Sequence, residues 1–418
     1  MFFERAWDAV SRARYKIAIR VRVIVDIVLL AVGIALAFFG GTDIVALIGV
    51  SLTAISAILL FINLWKDEAD KKRTRVVANP DFLQSLRSAR LPNGFELKSG
   101  AIPRSENTNP TAGEFRPYIT SEDVNAILDK SANPLAVEEV RFEVPRQLQE
   151  FRARSINIKL PNRNDPKIGL RNDITVDVLA NSEILSVQET DYFSGAATNE
   201  MACDQFMSVP VLRSRRPSLQ FAVADLVIDN NELVGLSESS LSNHIGISTV
   251  VFTADSFLVL QEQDEQMISS KEVAIGASGS LDLKDIEVTR HQNPTLQGLV
   301  RFGMEREATE ELSAAFWPNR QNTTITGYAR YLARGGKPEF FGITRTTSVF
   351  SELKPTKKDV RYVKNIVGRP FEPNKAGLAR ALEEILGEGQ NSDKVYSMSM
   401  VVSLQMALSY LAKHKLVF

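Results

Sequence analysis

Cysteine is nearly absent. Cys203 is the only one in 418 residues, which excludes an internal disulfide and any zinc site built from cysteines. That usage fits a reducing compartment. Histidine is scarce too, with only His244, His291 and His414, so little material exists for histidine-dependent catalysis. Any chemistry here is expected to run on carboxylates and metal. No charge sign dominates: 49 Lys and Arg stand against 50 Asp and Glu, a net charge of −1, so nothing draws the chain globally to duplex nucleic acid. No internal repeat is visible. What is present is length, too much for one ordinary core, and two or three folding units are expected.

The N-terminus carries the longest apolar runs. Residues 1–22 are basic and amphipathic, with Phe2, Phe3, Trp7 and Val10 available to a membrane interface. Val23 to Phe39 and Ile44 to Trp65 follow, separated by Gly40-Gly41-Thr42-Asp43. As a helix the second run reaches roughly 33 Å, enough for a bilayer core. No small-residue cleavage site follows the first run, and the second lacks a polar face. Both observations weigh against a signal peptide or a buried soluble hairpin. The reading is therefore a two-helix transmembrane hairpin over 23–65. Arg5, Arg12, Arg14, Lys16, Arg20 and Arg22 precede it, and Lys66, Lys71, Lys72, Arg73 and Arg75 follow, which places both termini in the cytoplasm.

Residues 66–119 read as a linker and entry region. From 120 to 240, short alternating stretches such as Ile174 to Leu179 and Ile184 to Val187 read as a β-rich accessory region. The basic cluster Arg213, Arg215 and Arg216 could face an anionic ligand, although charge runs are usually solvated surface. Over 241–350, a hairpin is expected from Ile247 to Leu260, and a second from Thr324 to Thr346 around Gly335-Gly336. Between them, Gly276-Ala277-Ser278-Gly279-Ser280-Leu281-Asp282 is a small-residue loop that could approach a ligand closely. Residues 351–418 read as helical segments packing on this unit.

A helix is predicted over Asn293 to Phe316, with Pro294 at its start and Pro318 past its end. Glu307, Glu310 and Glu311 fall at i, i+3 and i+4, so three carboxylates share one face, while Ala308, Leu312, Ala315 and Phe316 turn inward. Such crowding asks for a neutralising cation or an Arg, and hard oxygen ligands suit Mg²⁺. The bland alternative is a solvated acidic face.

The order hairpin, glycine-bearing loop, R-E-U-x-E-E helix, hairpin resembles the Nudix superfamily, whose box is G-x5-E-x7-R-E-U-x-E-E-x-G-U. Arg306, Glu307, Ala308, Glu310 and Glu311 match its second half. The first half departs: Gln292 stands for Gly and Gly298 for Glu, and after the helix Ser313 replaces Gly and Ala314 the aliphatic. The resemblance implies an α/β/α sandwich within an α+β cytosolic part. It also implies Mg²⁺ or Mn²⁺ on Glu307, Glu310 and Glu311, Arg306 orienting them, and nucleotide contacts from Gly276, Ser278 and Gly279.

A two-helix membrane hairpin ahead of a Nudix-like unit is similar in arrangement to membrane effectors of bacterial cyclic-oligonucleotide antiphage signalling (CBASS). This likeness implies an inner-membrane, two-pass homo-oligomer that senses a nucleotide or cyclic oligonucleotide and disrupts the bilayer. Two alternatives stand beside it: an anchored Mg-dependent hydrolase of a nucleoside diphosphate linked to another group, and a non-enzymatic membrane scaffold.

Overall fold

A computed structural model describes parts of 31–58, then 74–100, 116–149 except 147, 164–208, 218–263, 272–289, 294–317, 321–356, 363–391 and 395–414. The chain divides into two compact units, Met1–Val77 with Gln205–Phe221, and Ala78–Asp204 with Ala222–Phe418. In the first, strands Thr74–Ala78, Asp204–Ser208 and Ser218–Ala222 form a three-stranded sheet in that order.

The transmembrane hairpin expected over 23–65 is corrected by the structure. Among the described residues no helix is long and apolar enough to cross a membrane. The two-pass inner-membrane location falls with it. Residues 1–30 and 59–73, which include the basic N-terminus, lie outside the described residues, as do Arg213, Arg215 and Arg216.

The second unit is built on a ten-stranded mixed sheet. Its strands are β1 (Glu96–Ser99), β2 (Pro117–Thr120), β6 (Gly246–Phe252), β7 (Phe257–Gln263), β8 (Glu272–Ile275), β9 (Ala277–Ser280), β10 (Thr323–Tyr331), β11 (Lys337–Arg345), β12 (Val363–Pro370) and β13 (Val395–Tyr396). The main path runs β13-β8-β7-β6-β11-β10-β2-β1, with β9 paired to β6 and β12 to β7. At its centre β6 and β11 are parallel, from Gly246↔Glu339 to Phe252↔Arg345. All seven residues of β6 are buried, as a strand covered on both faces requires. Both expected hairpins form, β6 with β7 and β10 with β11.

After the short helices α1 (Glu122–Leu128) and α2 (Val176–Ala180), longer helices cover both faces of this sheet. On one, α3 (Leu296–Leu312) sets Leu299, Val300 and Met304 against Ile247, Ile325 and Phe340. On the other, α4 (Lys375–Asn391) and α5 (Met398–Lys413) set Leu382, Leu404 and Leu411 against Val250, Leu260 and Ile343. The apolar C-terminal segment is thus core packing.

The stretch ahead of the large sheet contributes a smaller one. Here β3 (Leu135–Val137), β4 (Pro166–Leu170) and β5 (Leu185–Asp191) lie in the order β3-β5-β4. Residues 174–179, alternating like a strand, instead enter the helix Val176–Ala180, because the Thr175 side chain caps it by accepting the Val178 N–H at 3.3 Å. This smaller sheet shares its core with the Nudix-like part: Ile168, Leu170, Leu185 and Val187 pack in one cluster with Ile245, Leu281 and Leu299.

Candidate functional site

The carboxylate-bearing helix α3 is shorter at both ends than the sequence predicts. Thr295 is its N-cap, its hydroxyl accepting the Gly298 N–H at 3.1 Å. Ser313 is its C-cap, held in the left-handed region at φ 56, where the Nudix box has its glycine. Ala308 and Leu312 are fully buried as expected. Ala315 lies beyond the helix and is exposed, and Phe316 is half-buried.

Arg306 is the hub of the site. Its Nε donates to Asp285 Oδ1 at 2.7 Å and its Nη2 to Asp285 Oδ2 at 3.0 Å, a fork that fixes the guanidinium plane. Nη2 also donates to the Ser280 carbonyl at 3.0 Å. The remaining nitrogen, Nη1, reaches Glu307 Oε1 at 2.9 Å and Glu310 Oε2 at 3.3 Å. Lys284 Nζ donates to Glu310 Oε1 at 3.0 Å and pairs with Asp282 Oδ2 at 3.1 Å. Lys167, from β4, is ion-paired with Asp282. Glu311 accepts from Gln261 Nε2 at 2.9 Å and from the Ser278 N–H at 3.2 Å.

This is not a solvated acidic face. The side chains of Glu307 and Asp285 are 12% and 0% exposed, and that of Arg306 is 10%. Burial pushes the Glu307 carboxyl up to about 7, even though Arg306 and Lys167 pull it down. Burial likewise raises Asp285 despite its fork to Arg306. Burial works against the charge on Arg306 but is outweighed by Glu307 and Asp285, which hold its pKa above the ordinary arginine value. Burial also works against ionised Asp282, yet Lys167 and Arg306 bring it below the usual carboxylate range.

The glycines of the small-residue loop have structural work. A Cβ on Gly279 would stand 2.2 Å from Glu307 Oε1, and one on Gly276 would stand 2.6 Å from both Thr249 O and Val251 N. They let β9 lie against β6 and let α3 bring its carboxylates to the strand. The structure therefore gathers Arg306, Glu307, Glu310, Glu311, Gly276, Ser278 and Gly279 in one place.

Asp285, Lys284, Gln261 and Lys167 were missed from sequence. Asp285 and Lys284 sit in what reads as a polar insertion, and Lys167 is remote in the chain. The Lys167↔Asp282 bridge between β4 and the segment after β9 brings it in.

The metal expectation meets a specific obstacle. Among the described residues no three His, Cys, Asp or Glu side chains converge in a group that could hold a metal ion. A guanidinium nitrogen lies between Glu307 and Glu310, two of the three carboxylates that would hold a metal, and Gly298 supplies no carboxylate where the box has Glu. As arranged, the residues do not fit Mg²⁺ or Mn²⁺.

No protein-family model matches the chain, and no curated protein matches it. Among solved structures, a MutT protein from Methanosarcina mazei Go1 is similar at 12% identity, covering 39% of this chain and 91% of that one, with a TM-score of 0.25. A protein from Deinococcus radiodurans is similar at 11% identity, covering 44% of this chain and 96% of that one, also with a TM-score of 0.25. Scores this low carry no weight on their own, so the likeness to the Nudix superfamily rests on the R-E-U-x-E-E helix, the glycine-bearing loop and the two hairpins around them.

Proposed function

We propose that the larger unit is a Nudix-like module that binds a nucleotide-type anion and senses it without metal-dependent turnover. The observation that carries this reading is the engagement of all three box carboxylates by protein donors: Arg306 on Glu307, Arg306 and Lys284 on Glu310, Gln261 and Ser278 on Glu311. Lys284, its side chain 47% exposed, sits at the edge of the site between Asp282 and Glu310. The antiphage-effector expectation rested on a transmembrane hairpin beside this unit and is not carried forward.

The test is a melting series on the full chain with mononucleotides, dinucleotides and cyclic oligonucleotides, each with and without EDTA. A ligand at about 100 times its Kd adds ~2.7 kcal/mol to the unit it binds. We expect one nucleotide class to raise the melting temperature by a few degrees regardless of EDTA. No shift with any of them removes the sensing reading.

A second reading, hydrolysis of a nucleoside diphosphate linked to another group, is favoured by Glu307. A carboxyl brought to about 7 suits a general base near neutral pH, and the five carboxylates of the cluster outnumber its three cations. It requires Mg²⁺ or Mn²⁺ to win carboxylates now held by Arg306 and Lys284. Turnover that is lost in Glu310→Gln with Glu311→Gln would establish it over sensing alone.

A further inference from the structure

We infer that Arg306 is the resident cation of this site, standing where a Nudix box would carry a divalent ion and keeping such ions out. The inference deepens the metal-independent reading above and rests on it. Three observations converge.

First, Nη1 is shared between Glu307 Oε1 and Glu310 Oε2, two of the three carboxylates that would hold a metal. Second, the guanidinium is not free to swing aside. Asp285, with no exposed surface, grips it through both of its oxygens, and the Ser280 carbonyl takes a further N–H. Third, the carboxylate that the box places one turn into the helix is missing, since position 298 is glycine; its amide is occupied in capping to Thr295.

The outer carboxylates follow the same logic. Asp282 lies between Lys167 and Lys284, and Lys284 covers the second oxygen of Glu310. Each negative charge therefore has a donor from the chain. A hydrated divalent ion would have to take Glu307 and Glu310 from Nη1 of a guanidinium that the Asp285 fork holds in place.

The experiment is Mn²⁺ binding to the full-length protein, read by loss of the free Mn²⁺ electron paramagnetic resonance signal. Three forms are compared: wild type, Arg306→Gln, and Arg306→Gln with Asp285→Asn. The double variant removes the buried Asp285 charge that Arg306→Gln alone would orphan, so the test survives if the single variant does not fold. Wild type is expected to leave the free signal unchanged at millimolar Mn²⁺. The double variant is expected to bind one ion per chain and to melt several degrees higher with Mn²⁺ than with EDTA, because Glu307 and Glu310 then face each other without the guanidinium between them.

Two results overturn the inference. One is saturable binding of Mn²⁺ to wild type that disappears in Glu310→Gln. The other is a folded double variant that binds none. Failure of the nucleotide melting series would leave both readouts intact, so loss of the sensing reading is separable from loss of this one.

Discussion

Asp285 is the residue on which the site turns. It has no exposed surface and gives both carboxylate oxygens to Arg306, whose side chain is only 10% exposed. Removing one partner of a buried, hydrogen-bonded pair costs about 3–5 kcal/mol, since the other charge is stranded. Asp285→Asn should therefore lower the melting temperature of the larger unit by several degrees, while Asp285→Glu recovers part of it. A melting curve unchanged in Asp285→Asn would show that the fork is incidental. Glu307 makes a pH-dependent prediction of defined sign. Its folded pKa is raised from 4.5 to about 7, so the folded state holds the proton more tightly than the unfolded chain does. The stability this adds is complete below about 4.5 and is lost as the pH climbs through about 7. Glu307→Gln should therefore lose less stability between pH 5 and pH 8 than wild type, as measured by scanning calorimetry at the two values. An equal loss in both proteins would contradict the assignment.

At the scale of elements, the close packing of β9 on β6 depends on a missing side chain. A Cβ on Gly276 would meet backbone atoms of Thr249 and Val251 at 2.6 Å, and backbone cannot rotate away as a side chain can. Gly276→Ala should cost roughly 1–3 kcal/mol in overpacking, checked by the shift of the unfolding transition. Both hairpins and the heart of α3 were legible in the sequence, because apolar alternation and i, i+3, i+4 spacing are local signals. The ends of α3 were not, since Pro294 and Pro318 marked outer limits while Thr295 and Ser313 did the capping. Residues 174–179 show the opposite failure: alternation at that length fits a strand, but the Thr175 cap and burial of Leu179 decide for helix. The partners of Arg306 were illegible for a different reason. Asp285 looks like one more polar residue in a polar insertion until the fold buries it, and Lys167 is joined by the bridge between two distant segments.

At the scale of the whole molecule, the β-rich stretch before residue 241 and the Nudix-like part after it share one core. Val124, Leu128, Ile168, Leu170, Leu185 and Val187 pack with Ile247, Leu299, Val300, Met304 and Phe340. The smaller sheet also delivers Lys167 to Asp282. A fragment of residues 241–418 should therefore fail to fold cooperatively, where 78–418 should fold, as judged by near-ultraviolet circular dichroism and a single melting transition. The apolar N-terminal runs were legible as sequence, yet hydropathy alone does not set the length of a helix, and no described helix reaches across a bilayer.

The central claim is that Arg306, rather than a metal, is the cation shared by Glu307 and Glu310. Its most direct test is the melting temperature of the wild-type chain at neutral pH in EDTA and in 10-fold-stepped Mg²⁺ up to millimolar concentration. The account predicts coincident curves for the larger unit. A saturable rise in melting temperature with Mg²⁺ that is absent from Glu310→Gln would contradict it.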